Sequence, residues 1–400
     1  MRPTIEREAA LTALPSLATG ARSALYRICV RCVMDVSDAE ITFDDAGYCN
    51  HCVGAVGQMT TKMPTYTQGE YRLDRIVSRM KDAGRGKRYD CIVGVSGGVD
   101  STFAAYTVKQ QGLRPLAVHF DNGWNSELAV QNIEQTLRRL EIPLHTHVVD
   151  WEEFRDLQVA FLRASVPDAE LPTDHAIGAL LHQMAARFGV RFVISGTNVN
   201  TESILPLSWT YYVSDWKYIR GIHEQFGSYP LRSYPHSSLY KYIYHILVRR
   251  IRTVSLLNSI KYDKNAAIGV LERELGWRNY GGKHHESIYT RFFQSYILPR
   301  KFGIDKRRAH YSSLIMSEQM TRDQALHALE EPIADPRLLA DDRAYVVKKL
   351  GISDDEFERI MRAPVRSYRD YKNDSRRYAY LRSLMRSAQN HGLIPRQLGM

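Results

Sequence analysis

The chain has 400 residues, 44% of them hydrophobic, which supplies core material for roughly two or three domains and excludes disordered and collagen-like classes. No run of about 18 apolar residues occurs, because the greasiest stretch, 240–260, is cut by Lys241, Arg249, Arg250 and Arg252, so no transmembrane segment is expected. Lys and Arg number 54 against 44 Asp and Glu, a formal charge of +10, and that balance raises nucleic acid or an anionic ligand as a partner.

Residues 1–26 read as an N-terminal extension. Acidic Glu6 and Glu8 stand where a secretory leader would be basic, and no long apolar segment follows before Cys29, so a cytoplasmic location is expected. The segment 27–65 is expected to be a zinc ribbon. It holds four of the five cysteines as two knuckles, Cys29/Cys32 and Cys49/Cys52, the spacing of a four-thiolate zinc site. Between them, residues 40–43 alternate and Asp44 to Gly47 are turn material, so a small hairpin can bring the pairs together. Two disulfides are the alternative, disfavoured in a cytosolic chain. Four thiolates leave no open coordination position, so the zinc would be structural; His51 could replace one of them, but four cysteines suffice.

The next unit, expected over 70–205, opens with a buried strand at 90–95 that runs directly into Ser96, Gly97, Gly98, Val99, Asp100 and Ser101, followed by a helix from about 100 to 111. A strand, a glycine turn and a helix N-terminus aim backbone N–H groups and the positive end of the helix dipole at one spot, which suits phosphate. Ser96 and Ser101 add hydroxyls, Gly97 and Gly98 permit close approach, and Asp100 can hold a magnesium ion. The Walker lysine is absent. The six residues resemble the pyrophosphate loop of the ATP pyrophosphatase (PP-loop) superfamily. The resemblance implies ATP as cosubstrate, cleaved between the α- and β-phosphates with adenylation of a substrate oxygen.

Strands at 115–120, 144–149 and 191–195 alternate with helices at 127–140, 151–164 and 175–188, which predicts an α/β fold with a doubly wound parallel sheet and ligands at the strands' carboxyl ends. Asp121, Gly196 and Thr197 sit at such ends and are candidate nucleotide contacts. The segment 196–202 is similar to a stretch of NAD synthetases, and that likeness implies Glu202 as the second magnesium ligand, although Val199 departs from the pattern.

No nitrogen source is evident in the chain. Arg2 follows Met1, and Cys91, the only spare thiol, lies in mid-strand where a buried, inert role is expected, so neither common glutaminase nucleophile is present. The same lack of spare cysteines weighs against a tRNA-thiolating enzyme of the superfamily, the alternative reading; a non-catalytic scaffold is a third.

After residue 203 the strand–helix rhythm is expected to stop, with a largely helical region over 206–365 that includes much of 237–260. It contains a polar cluster, Tyr280 to Glu286, with two glycines beside Lys283, His284 and His285. Together with the zinc knuckles, the Ser96 loop, 119–125 and 317–326, this cluster resembles the bacterial N-acetyl sugar amidotransferases of lipopolysaccharide and flagellin-glycan biosynthesis, over roughly residues 27–370. The resemblance implies a nucleotide-linked N-acetyl sugar as substrate, and a HisH-like glutaminase with a HisF-like subunit supplying ammonia. Lys283, Arg291 and Lys306 are then candidates to offset phosphate charge, and His284 or Glu286 to take a proton from the attacking nitrogen.

The tail, 366–400, carries eight Lys or Arg against two Asp, so most of the chain's positive excess is one element rather than a whole-protein signature, and nucleic acid is not expected as a partner. Residues 375–390 read as an amphipathic basic helix, either packed on the body or docking an acidic partner or anionic surface.

Overall fold

The computed structural model describes residues 26–62, 66–280 and 286–390. Its centre is one five-stranded sheet of β1 (Cys91–Gly94), β2 (Pro115–Asp121), β3 (Leu144–Val148), β4 (Phe192–Ser195) and β5 (Arg252–Ser255), in the order β3-β2-β1-β4-β5. Every pairing is parallel. The order reverses between β1 and β4, and a doubly wound sheet opens its ligand crevice at that reversal.

Side chains of β1 alternate between two cores, as the strand period of two requires. Ile92 packs with Leu116, Val118 and Val193 on one face; Cys91 and Val93 pack with Ala117 and Ile194 on the other. The second face is covered by the helices Val99–Gln110 and Lys264–Leu275, the first by Trp151–Ala164 and Leu171–Arg187. Cys91 is fully buried and its thiol pKa is pushed up by burial and by Asp90, in keeping with an inert role.

Two expectations need correction. The helix expected at 175–188 is Leu171–Arg187, because Pro172 sits in its first turn, where a missing N–H costs nothing. The strand–helix rhythm does not stop at 203: the helix Leu239–Leu247 ends, Arg250 takes a positive φ of 54°, and the chain then adds β5 to the outer edge of β4. The apolar spacing makes much of 237–260 read as helix, and Leu239–Leu247 is one, but at 252–255 pairing along an open sheet edge outweighs local periodicity.

At the N-terminal end, antiparallel bridges pair Ile28 with Asp35 and Phe43 with Cys49, and Gly47 (φ 83°) closes the turn from Asp44. A helix, Asn50–Lys62, starts inside the second knuckle. Most of the remaining described residues are helical. The tail helix Ser375–Asn390 is anchored at its start, where Tyr378 is buried, stacks on Tyr212 and donates to Ser214 O at 2.7 Å. No helix among the described residues is long and apolar enough to cross a membrane.

Candidate active site and zinc centre

The four knuckle sulfurs converge, all lying within 4.8 Å of one another. Cys29 Sγ is 3.7 Å from Cys52 Sγ and Cys32 Sγ is 3.5 Å from Cys49 Sγ, against roughly 3.8 Å between ligands of a tetrahedral zinc with bonds of about 2.3 Å. None is in a disulfide, and backbone N–H groups of Arg31, Cys32, Cys49 and Cys52 point at the sulfurs, as thiolate ligands require. The residues fit zinc. His51 is not needed as a ligand: its Nε2 pairs with Asp38 Oδ2 at 2.5 Å.

This centre is tied to the C-terminal part of the chain. Arg322 donates to Cys29 O and Cys32 O, Arg308 donates to Val33 O and pairs with Asp35 at 3.1 Å, and Ser312 Oγ accepts from Val33 N. Arg308 and Ser312 lie on the helix Lys306–Met316.

The Ser96–Ser101 loop leaves β1 at the sheet's reversal. Ser101 Oγ accepts from Ser96 N at 3.2 Å and donates to Gly98 O at 3.1 Å, while Ser96 Oγ accepts from Gly98 N at 3.3 Å, so the two hydroxyls close the turn on itself. Gly97 has φ 82°, and a β-carbon there would stand 2.7 Å from Ala129 O; only glycine fits. Trp277 Nε1 donates to Gly97 O at 2.9 Å and braces it from outside. Gly98 caps the helix Val99–Gln110 without any side-chain bond, which leaves that helix end suited to an anion.

The loop after β4 abuts it directly. A β-carbon on Gly196 would lie 2.8 Å from Ser101 N, so Gly196 is the contact that joins the two loops. Thr197 is exposed and bonds Ser195 and Ser255, fastening β4's end to β5. Asn198 Nδ2 reaches Asp100 Oδ1 at 3.4 Å, and the Tyr262 hydroxyl also donates to Asp100 Oδ1. Burial raises the Tyr262 pKa, and the charges of Asp100 and then Glu202 raise it further, so both carboxylates act on one phenol. Two carboxylates near a phosphate loop are the usual protein share of a magnesium site, the remaining positions going to phosphate and water.

From the other side, Asp121 Oδ1 accepts from Gly123 N at 2.9 Å and Asn125 Nδ2 at 3.2 Å, shaping the turn after β2. That turn holds the segment after the polar cluster: Ser126 N donates to Glu286 O at 2.8 Å and Ile288 N to Trp124 O at 2.9 Å. A β-carbon at Gly98 would stand 3.2 Å from the Tyr280 hydroxyl and 3.4 Å from Glu286 Oε1, so both groups overhang the phosphate loop. Lys283, His284 and His285 lie outside the described residues.

The two other expected phosphate cations are committed to carboxylates. Arg291 makes a bidentate pair with Asp342 at 2.7 and 2.8 Å, both side chains largely buried. Lys306 pairs with Glu170 at 3.3 Å; burial opposes its charge, and Glu170, Asp168 and Asp174 more than offset that, raising its pKa. Sequence reasoning missed Tyr262 and Trp277, which carry no local signal because each reaches the loop from a distant element. Asn198 and Tyr280 lie in segments the sequence singled out, but their own contacts with Asp100 and Gly98 were not foreseen.

Asp174, near the start of the helix Leu171–Arg187, stands beside this lysine. Its carboxyl is pushed from the ordinary 3.8 up to about 7, by burial first and then by Asp168 and Glu170. A raised folded pKa disfavours the ionised folded form: the penalty is absent below the unfolded value, grows through the window from 3.8 to about 7, and is complete above it. Asp174→Asn should therefore raise the urea midpoint at pH 8 and leave it nearly unchanged at pH 3. Asp174 keeps open surface, so screening makes the gain smaller than the bare shift implies.

Comparison with known proteins matches two separate segments of the chain. Residues 90–177 match the family described as Queuosine biosynthesis protein QueC, and residues 286–385 match the family described as LPS biosynthesis protein WbpG-like, C-terminal domain. No curated protein matches the chain. Among similar solved structures is the NMN synthetase from Francisella tularensis, 14% identical, covering 55% of this chain and 90% of that one with a TM-score of 0.26, a likeness too slight to carry an argument. The sheet, its loop and the two family matches describe an ATP-binding α/β domain of the PP-loop type joined to a segment similar to the C-terminal domain of a lipopolysaccharide biosynthesis family.

Proposed function

We propose that the chain is the synthetase subunit of an ATP-dependent N-acetyl sugar amidotransferase in lipopolysaccharide or flagellin-glycan biosynthesis. One observation carries the reading: the lipopolysaccharide-type match begins at Glu286, the residue that overhangs Gly98 of the phosphate loop. The segment with a surface-sugar signature thus borders the nucleotide chemistry itself.

In this reaction the acetamido oxygen of a nucleotide-linked N-acetyl sugar attacks the α-phosphorus of ATP, and pyrophosphate leaves. Ammonia adds to the carbon of the resulting O-adenylyl imidate, a proton is lost from the nitrogen, and AMP departs with the former amide oxygen, leaving an acetamidino group. Backbone N–H groups at Gly97 and Gly98 and the Ser96 and Ser101 hydroxyls hold the pyrophosphate portion. Asp100 and Glu202 hold magnesium, which offsets phosphate charge. Glu286 overhangs the loop and is the described group suited to accept the nitrogen's proton, with His284 as the other candidate. Lys283 is the remaining candidate cation, since Arg291 and Lys306 are paired elsewhere.

The nitrogen comes from a separate HisH-like glutaminase acting with a HisF-like subunit. The chain's cysteines support this, four being gathered at the zinc centre and Cys91 buried in β1. The same distribution leaves no thiol to carry sulfur for a tRNA-thiolating reaction, and the queuosine-family match falls only on the ATP-binding half. Purified protein with ATP, magnesium, ammonium and a panel of nucleotide N-acetyl sugars should form AMP and lower the mass of one sugar by about one unit, as replacement of O by NH requires. AMP formation driven by RNA and by no sugar would overturn the reading.

A further inference from the structure

Two stretches hold an amount of positive charge equal to the chain's whole excess. Residues 225–262 contain six Lys or Arg and no Asp or Glu, and residues 375–390 contain four and none, which together match the net charge of +10. The first stretch carries the helix Leu239–Leu247 and β5; the second is the tail helix. Both helices set out from one turn, 212–216. Tyr378 of the tail helix stacks on Tyr212 and bonds Ser214 O, while His236, just before the other helix, stacks on Trp216 at 4.3 Å. His175 completes the tie, its Nδ1 donating to Val213 O at 2.6 Å and its Nε2 accepting from Ser237 N at 3.2 Å.

The helix Leu239–Leu247 is apolar on two faces, and only one is covered. Leu239 and His245 are buried, and the Tyr242 ring packs edge-on against His182 of the helix Leu171–Arg187. On the other face Tyr240 is 72% exposed and Leu247 66%, with Tyr244 between them at helical spacing and Val248 alongside. Single exposed apolar residues are ordinary, whereas neighbouring ones form a contact surface. Around them Lys241, Arg249, Arg250 and Arg252 are all exposed, and none pairs with an acid among the described residues. The tail helix repeats the pattern, with exposed Tyr380 and Leu384 one turn apart beside exposed Arg376. At its start lies a cavity of about 650 Å³, lined by Lys217, Arg369, Arg376 and Arg377 against a single acid, Asp374.

The chemistry of this surface selects its occupant. A second copy of the chain is disfavoured, because a two-fold contact sets each patch of cations against the same patch. Nucleic acid engages cations through phosphate but has no use for Leu247, Val248 and Leu384. A globular partner presents acids and bases together, and the rim here is cationic throughout. An anionic bilayer matches the set: cations at the phosphate level, tyrosines in the headgroup zone, leucine and valine at the acyl boundary. We infer that the helix Leu239–Leu247 and the tail helix dock the protein on an anionic lipid surface, the cavity beside the tail helix receiving a phosphate headgroup. This docking stands apart from the amidation chemistry, and ATP use does not depend on it.

The test is cosedimentation of the full-length zinc-loaded protein with vesicles of three parts phosphatidylcholine to one part phosphatidylglycerol, beside vesicles of phosphatidylcholine alone. Wild type should sediment with the first and not with the second, and should be released as salt is raised. Lys241→Gln combined with Arg249→Gln should weaken binding about 30-fold, at about fivefold per surface cation. Tyr240→Ser combined with Leu247→Ser should weaken it about tenfold or more. All four side chains are exposed, so the melting temperature and the ATP KM should hold in both variants. Binding to neither vesicle, equal binding to both, or unchanged binding in the two variants would overturn the assignment. So would a complex with the ammonia-supplying subunits that both variants abolish while vesicle binding persists, since the surface would then belong to a protein partner.

Discussion

Asp100→Asn should lower sugar-dependent pyrophosphate exchange by about three orders of magnitude, the several kcal/mol that a correctly held cation supplies to charge moving between phosphate oxygens. The substitution keeps shape and can still accept from Tyr262 and Asn198, so the fold and melting temperature should hold. What it removes is the negative charge that retains magnesium against the pyrophosphate. The magnesium concentration for half-maximal rate should rise with it. Tyr262→Phe gives the graded control: Asp100 keeps its charge but loses a bond that orients it, so a loss of about tenfold to a hundredfold is expected, the cost of one hydrogen bond to a charged group. ATP turnover unchanged by Asp100→Asn would turn the reading towards a non-catalytic scaffold.

Removing the metal from the four-cysteine centre should act at a distance. Structural zinc supplies about 10–16 kcal/mol of apparent binding energy, of the same order as the ~5–15 kcal/mol that holds a whole domain folded. Cys49→Ser, or a strong chelator, should therefore unravel residues 27–50 rather than loosen them. Three anchors of the C-terminal part of the chain go with that segment: the carbonyls that Arg322 grips, Val33 O and Asp35 at Arg308, and the Val33 amide at Ser312. Two of these hold the helix that begins with Lys306. Sugar affinity should consequently fall well before ATP affinity, because the phosphate loop rests on β1 and Trp277 and not on the zinc centre. Zinc content by atomic absorption, set against separate KM values for sugar and ATP, checks this; equal losses in both would mean global unfolding.

The parts of this site that could be read from sequence are contiguous ones. Ser96 to Ser101 announces itself because strand, glycines and helix follow one another without a gap, and the knuckles because thiolate spacing is fixed by the ion. The sheet was legible from its alternating helices up to β4. Beyond that, the signals fail for a physical reason: β5 is four residues of an edge strand whose pairing depends on β4, 60 residues earlier in the register Phe192 with Arg252. Tyr262 and Trp277 are ordinary residues locally, made functional by approach to Asp100 and Gly97. Arg291 and Lys306 could be picked out as cations, but their partners Asp342 and Glu170 come from 51 and 136 residues away, and a partner decides what a charge is for.

The placement of β5 limits how such a protein can be recombined. A joint at residue 205 would leave the outer edge of β4 unpaired, take Asn258 from the Val199 amide and take Tyr262 from Asp100. The nucleotide-activating portion is thus not a cassette that ends where its last long helix ends. A chimaera that lends this ATP chemistry to another substrate half has to carry the crossover with it, and also the helix Lys264–Leu275 that covers the sheet, Trp277 that braces Gly97, and Tyr280 and Glu286 that overhang the loop.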